Sequence, residues 1–327
     1  MSKFIRDVLI FCAINLSVLG YLFVIYDFDA DYLASLNDKL DRLESTEPPR
    51  ILFIGGSSVA WSNHTQLVKD AFGMDAENMA IHAGMALSMR INEARMWPKQ
   101  GDIVVLSIEW SNYTDVPWTR KMAEVVIACP RMFLLMGSRD RKLVADGLLP
   151  AMRIPFTAFF DDFKKNKLKA FTHASAQKRK QWRLRENFSD LGDFQGHYGV
   201  KPFGIAGRDV VFSSMEELEE GIERLNELIA ELRARGVEVY YFVPVIPQSR
   251  FDAKRETALA HVQKLVDELD APVLNPDNFV FPDDAYFDSC FHLQDVPGQE
   301  RTQILVDELS KYLKPQSQSQ PPSGDSP

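Results

Sequence analysis

From Val8 to Tyr26 the chain carries an uncharged, mostly apolar run, VLIFCAINLSVLGYLFVIY, interrupted mildly at Asn15, Ser17 and Gly20. A helix of about 20 apolar residues matches a bilayer core about 30 Å thick. Lys3 and Arg6 precede the run, and Asp27, Asp29 and Asp31 follow it. Lys and Arg favour cytoplasmic flanks, so the pattern predicts a transmembrane helix with its N-terminus inside and everything beyond Tyr26 exported. The alternative is a cleaved signal peptide, whose apolar region spans about 7–15 residues and ends in a small-x-small site. This run is longer and ends YLFVIYDFDADY, which favours an uncleaved anchor. The expected location is a bacterial inner (cytoplasmic) membrane, crossed once, with a periplasmic C-terminal domain.

Beyond the run, Leu33, Leu36, Leu40 and Leu43 fall on one helical stripe, which Glu47-Pro48-Pro49 breaks. Five apolar runs follow: ILFI (51–54), NMAIH (78–82), DIVVLSI (102–108), VEVYYFV (237–243) and APVLN (271–275). Continuous apolar runs of this kind suit strands buried on both faces. Helical stretches separate them. The clearest has the capping-box pair Ser214 and Glu217, sets Leu218, Ile222, Leu225, Ile229 and Leu232 on one face, and stops at Gly236. A last helix is expected over 298–313. The alternation predicts an α/β fold with a doubly wound, parallel five-stranded sheet. Between the third and fourth strands lies an insertion at about 114–213, far longer than an ordinary crossover. The expected organisation is a cytoplasmic stub and anchor (1–30), a juxtamembrane helix and linker (31–49), an α/β domain (50–314) and a disordered tail (315–327) without apolar periodicity.

Composition narrows the functional classes. Of 327 residues, 46% are hydrophobic and 25% charged, which excludes a wholly disordered or collagen-like chain. The formal charge of −9 argues against a general nucleic-acid partner, which needs a basic footprint. Cys12, Cys129 and Cys290 make no disulfide framework and no CxxC zinc pair; a single Cys129–Cys290 bridge stays open for an exported chain. Within the insertion, KKNKLK (164–169) and KRKQWRLR (178–185) form a basic tract, read either as a solvated helix face or as contact with anionic headgroups or polymer.

Ligands of open α/β sheets collect beyond the carboxyl ends of the strands. After the first strand comes Gly55-Gly56-Ser57-Ser58. The glycines allow a tight exit and leave a serine near a helix N-terminus, although GGSS also suits an ordinary βα turn or a phosphate-binding turn. Neither G-x-x-x-x-G-K-[ST] nor G-x-G-x-x-G is present, which lowers the case for a nucleotide. After the last strand comes Phe287-Asp288-Ser289-Cys290-Phe291-His292-Leu293. An Asp four residues ahead of a His is able to orient the imidazole and leave its other nitrogen for a serine proton. His82, His173 and His197 show no metal-ligand spacing and are read as structural. No metal or organic cofactor is called for.

These blocks resemble the SGNH/GDSL hydrolase superfamily, in the expected order from Arg50 to Leu313. There a Gly-Asp-Ser turn after strand one holds the nucleophile, and an Asp-x-x-His pair lies near the C-terminus. The resemblance implies an SGNH/flavodoxin-like sheet, Ser57 as nucleophile, His292 as general base and Asp288 as its orienting acid. It also implies an oxyanion hole from the N–H groups of Ser57 and Gly84, the latter ending Asn78-Met79-Ala80-Ile81-His82-Ala83-Gly84. Three departures stand out. Gly56 replaces the usual Asp, and the Asp–His spacing is four rather than three. The third block, normally Gly-x-Asn-Asp, reads Ser107-Ile108-Glu109-Trp110-Ser111-Asn112. A pocket-facing Glu109 would repel an oxyanion, and Asn112 is the candidate replacement donor; losing one donor costs about 10²–10³ in rate.

The whole chain is also similar to the anchored, exported SGNH-like proteins that accompany membrane-bound O-acyltransferases in bacterial surface-polymer acylation. The shared features are the anchor, the GGSS block, the block Tyr286–Leu293 and the segment Asn187–Asp193. Two functions follow. One is an acyl-transfer enzyme acting on esters of a surface polysaccharide or other carbohydrate through an acyl-serine. The other is a weak or inactive scaffold that binds such a polymer or a membrane-bound O-acyltransferase. Glu109, Trp110 and Tyr113, with Trp118, are candidates for substrate binding, with packing at the edge of the core as the alternative for the aromatics.

Overall fold

The branched and aromatic run Ile51-Leu52-Phe53-Ile54 forms the body of strand β1 (Arg50–Gly55), every residue of which is buried, and the Arg50 side chain at its start is paired with Asp102. The computed structural model describes residues 3–25, 31–114, 119–166, 184–205 and 209–314; within its helices, the side chains at 15–16, 18–19, 21–25 and 154–166 lie outside the described set. The remaining strands are β2 (Asp75–Asn78), β3 (Ile103–Ser107), β4 (Glu238–Phe242), β5 (Ile246–Pro247), β6 (Val273–Leu274) and β7 (Val280–Phe281). Five of them form one sheet in the order β2-β1-β3-β4-β6, parallel throughout, and β5 and β7 pair separately. This is the doubly wound order in which the winding reverses between β1 and β3, the place at the carboxyl edge where sheets of this kind bind ligands. It fits the expected SGNH/flavodoxin-like sheet.

The helices are α1 (Lys3–Ile25), α2 (Ser35–Ser45), α3 (Ser57–Ser62), α4 (Thr65–Phe72), α5 (Leu87–Met96), α6 (Thr119–Ala128), α7 (Ser138–Asn166), α8 (Met215–Ala234), α9 (Gln248–Ala253), α10 (Arg255–Glu268) and α11 (Asp295–Leu309). The stripe Leu33, Leu36, Leu40 and Leu43 is buried. Helix α8 carries the full capping box, with the Ser214 hydroxyl taking the Glu217 N–H and the Glu217 carboxylate taking the Ser214 N–H. Two boundaries differ from the sequence pattern. The run 78–82 is not a strand, because the ladder to β1 pairs Arg50 with Asp75 and ends at Phe53 with Asn78. Met79, Ala80 and Ile81 are buried as the exit from that strand. The last helix begins at Asp295, three residues earlier than expected, after an extended Gln294.

The chain divides into two compact units, residues 1–35 with 118–187, and residues 36–117 with 188–327. The segment read as one insertion is therefore shared, and residues 188–213 belong with the sheet. Most of the basic tract, together with Trp118, His173 and the tail 315–327, lies outside the described residues.

The expected membrane anchor is overturned. Among the described residues no helix is long and apolar enough to cross a membrane. A span needs about 20 predominantly apolar residues in succession. The side chains described in α1 include the charged Lys3, Arg6 and Asp7 at its start, with Arg6 Nη2 paired to Asp7 at 3.1 Å. The single-pass inner-membrane location with a periplasmic domain, inferred from the run 8–26, falls with it.

Candidate functional site

Ser57 opens α3 directly beyond β1, with Gly56 in extended backbone before it. The first N–H groups of a helix have no partner within it. Here the N–H groups of Val59 and Ala60 both reach the Gly56 carbonyl, and that of Ser58 goes to Glu109. The N–H and hydroxyl of Ser57 remain uncommitted among the described residues.

The same helix carries the other half of the site. Trp61 lies four residues after Ser57, so both project from one side of α3. The His292 ring stacks on Trp61, with centroids 4.1 Å apart and planes 11° apart. One residue on, Ser62 Oγ accepts the Leu293 N–H at 3.0 Å and donates to the Phe291 carbonyl at 3.4 Å. Helix α3 thus grips the chain on both sides of His292. The Phe287 N–H donates to the His292 carbonyl at 2.8 Å, closing the loop and bringing Asp288 Oδ1 to 2.6 Å from His292 Nδ1. Among the described residues His292 Nε2 is buried and makes no hydrogen bond, to the Ser57 hydroxyl or to any other group.

The third block is arranged differently from the sequence expectation. Glu109 is buried and turned toward the Ser58 backbone, not into an open pocket. Asn112 Nδ2 donates to the Ala83 carbonyl at 2.6 Å and faces Glu109 Oε2 at 3.4 Å. The Gly84 N–H donates to His82 Nδ1 at 2.7 Å. Both expected oxyanion donors beyond Ser57 are therefore already engaged. Trp110 and Tyr113 are 0% and 1% exposed, which excludes them as a sugar platform. The Trp110 indole donates to the Val245 carbonyl, and Tyr113 bonds the Tyr241 hydroxyl.

A wall that the motifs did not reveal comes from residues 188–198. The Phe194 ring lies tilted by 31° against Trp61, with centroids 4.1 Å apart, and its N–H donates to the Ala60 carbonyl. His197 lies 5.1 Å from Trp61 and donates through Nε2 to the Leu293 carbonyl at 3.0 Å. Asp193 anchors this wall. Its carboxylate accepts the Thr65 N–H and hydroxyl, each at 2.6 Å, and Asn78 Nδ2 at 2.8 Å. Buried Lys39 donates to the carbonyls of Ala80 and Gly192, at 2.5 and 2.8 Å. Burial pushes Lys39 down to about 7 and Asp193 up to about 6; their mutual attraction opposes both shifts. The only sequence signal was the block Asn187–Asp193, which carried no chemistry of its own.

Burial, followed by repulsion from His292, holds His197 neutral, down to about 4. The unfolded chain would protonate this residue near 6.5, so between about pH 6.5 and 4 the unfolded state binds the additional proton. The His197 contribution to stability is therefore present above pH 6.5 and lost as pH falls to about 4, amounting to roughly 3 kcal/mol. Urea titrations of wild type and His197→Gln across that range should show the difference between the two curves shrink by that amount. Parallel curves would mean that His197 takes up its proton in the folded chain. Comparing the two proteins is necessary because Asp193 and Glu77, both raised by burial, act in the opposite direction.

None of Cys12, Cys129 and Cys290 is in a disulfide, so the Cys129–Cys290 bridge is not formed. Cys290 packs in an apolar cluster with Tyr286 and Leu293, and burial pushes its thiol up. A reactive cysteine needs the opposite shift.

No protein-family profile matches the chain, and no curated protein matches it. Solved structures do. A family two carbohydrate esterase from Clostridium thermocellum, in complex with cellohexaose, is 13% identical, with 81% of this chain and 65% of that chain covered and a TM-score of 0.37. A Bacillus subtilis protein is 11% identical, with 81% and 57% covered and a TM-score of 0.37. An acetyl xylan esterase from the rumen bacterium Butyrivibrio proteoclasticus is 10% identical, with 81% and 64% covered and a TM-score of 0.32. The chain spans under two thirds of the length of these solved chains.

Proposed function

We propose that this chain is a serine-dependent acyl-transfer enzyme of SGNH type that acts on ester groups of a carbohydrate, by transfer or removal of an O-acyl group. The observation that carries the reading is His292. Its Nδ1 is fixed by Asp288 at 2.6 Å, and its Nε2 is buried without a partner on the Trp61 face that also presents Ser57. Nε2 takes the Ser57 proton as Oγ adds to the acyl carbon, and the Ser57 N–H steadies the resulting oxyanion. The proton then passes to the leaving sugar oxygen, giving acyl-Ser57 and a free hydroxyl. Water or an acceptor sugar, deprotonated by the same nitrogen, takes the acyl group and regenerates Ser57. Asp288 holds the tautomer throughout. The carbohydrate substrate and a membrane-bound O-acyltransferase partner rest on the resemblance of the first and last blocks.

Intact mass after exposure to 4-nitrophenyl acetate tests this directly. An acetyl group should appear on wild type and on Cys290→Ser, mapped to Ser57 in both, and be absent from Ser57→Ala. An acetyl group on Cys290, or equal labelling of Ser57→Ala, refutes the assignment.

One observation favours a second reading, the scaffold. The Gly84 N–H and Asn112 Nδ2 are both engaged, which leaves the oxyanion a single evident donor. A wild-type chain that is folded, takes up no acetyl group and still retains an acetylated polysaccharide on a column would establish it.

A further inference from the structure

Register brings Glu109 to the serine turn. Gly55 of β1 pairs with Ser107 of β3, so the two chains leave the sheet side by side and Glu109 stands next to Gly56-Ser57-Ser58. Glu109 Oε1 accepts both the Ser58 N–H and the Ser58 hydroxyl, each at 3.2 Å. A Cβ built on Gly56 would lie 2.0 Å from Oε1 and 2.2 Å from Oε2. Residue 56 has φ −97° and ψ −153°, extended backbone open to any residue, so the carboxylate and not the backbone demands glycine.

The N-cap of a helix normally uses its own side-chain oxygen to accept the N–H of the second or third helical residue. Gly56 is the N-cap of α3 and makes no such bond. Glu109 accepts the N–H of Ser58, the second residue, from the neighbouring strand. We infer that Glu109 is a positioning residue that caps α3 in place of a side chain on residue 56, and that it selects which of two adjacent serines reacts. It occupies the N–H and hydroxyl of Ser58 and leaves those of Ser57 uncommitted. The inference rests on Ser57 being the nucleophile. It reverses the sequence expectation that Glu109 is a defect in the oxyanion hole.

Relocating the carboxylate tests it. Wild type, Glu109→Ala, Gly56→Asp and the double variant Gly56→Asp/Glu109→Ala are compared by the rate of Ser57 acetylation with 4-nitrophenyl acetate, read by peptide mass, and by urea midpoint. Glu109→Ala should slow acetylation about 10- to 100-fold, the order expected for a nucleophile displaced by about 1 Å. Gly56→Asp alone, which drives a side chain into Glu109, should also be slow and less stable. The double variant should recover most of the wild-type rate and midpoint, which merely additive structural damage would not do. Should Glu109→Ala not fold, the double variant still decides: folding with Ser57 acetylated supports the inference, and failure to fold overturns it. A folded Glu109→Ala that acetylates Ser57 at the wild-type rate, or a double variant no faster than the slower single, overturns the role of Glu109 while Ser57 stands. Wild type without acetyl on Ser57 overturns the nucleophile and the inference together.

Discussion

Replacing Asp288 by asparagine is expected to slow acetylation of Ser57 by about 10⁴-fold, without a matching loss of stability. The carboxylate accepts the proton on His292 Nδ1 across 2.6 Å. An asparagine in the same place turns its amide N–H toward Nδ1, which reverses the tautomer and places the ring proton on Nε2. That nitrogen then has no lone pair for the Ser57 proton, although the ring stays stacked on Trp61. Single-turnover acetylation and urea unfolding, measured on the same preparations, separate the two effects. A rate within tenfold of wild type would remove Asp288 from the mechanism. A loss of stability as steep as the loss of rate would make it a packing residue.

The largest stability effect should come from a residue with no part in the chemistry. Asp193→Ala is expected to cost about 3–5 kcal/mol, the range for removing one partner of a buried charged network. Three donors lose their acceptor at once: the Thr65 N–H, the Thr65 hydroxyl and the Asn78 amide. Buried Lys39 loses the foremost charge opposing its desolvation. At roughly 2–4 °C per kcal/mol for a chain of this order of size, the midpoint of thermal unfolding should drop by about 10 °C. Asp193→Asn keeps an acceptor oxygen and should lose less. A change under about 0.5 kcal/mol for Asp193→Ala, the level of an ordinary surface substitution, would show that residues 188–198 are held by their aromatic contacts alone.

Sequence and structure agree where the physics is local. Most of the parallel sheet was legible because strands buried on both faces read as continuous apolar runs, β2 being the exception with its sequence Asp-Ala-Glu-Asn, and the cap of α8 because Ser214 and Glu217 are three residues apart. The Asp288–His292 contact was legible for a similar reason, since a short loop closed by the Phe287–His292 backbone bond brings the two side chains together. What depends on register was not legible. Glu109 was misjudged because its direction is set by the pairing of Gly55 with Ser107, and the two readings of Trp110 and Tyr113, sugar platform or core packing, stayed open because strand ends do not announce which side chains turn inward. The wall of Phe194 and His197 was missed because it is fixed by Asp193 reaching Thr65 and Asn78, contacts between segments far apart in the chain. The apolar run near the N-terminus misled in another way, since among the described residues no helix is long and apolar enough to cross a membrane.

The exchange of a cap between strands bears on how such chains are found. A search pattern written around an acidic residue beside the proposed nucleophile rejects this chain at Gly56, although Glu109 brings a carboxylate to the same turn. A pattern that treats residues 56 and 109 as one two-part position accepts either solution: acid then small residue, or glycine then Glu. Chains with the acid at both positions should be rare, because a Cβ at residue 56 would already lie 2.0 Å from the Glu109 carboxylate. A large set of related sequences should show the two positions changing together, with the intermediate that lacks both acids as the more frequent bridge.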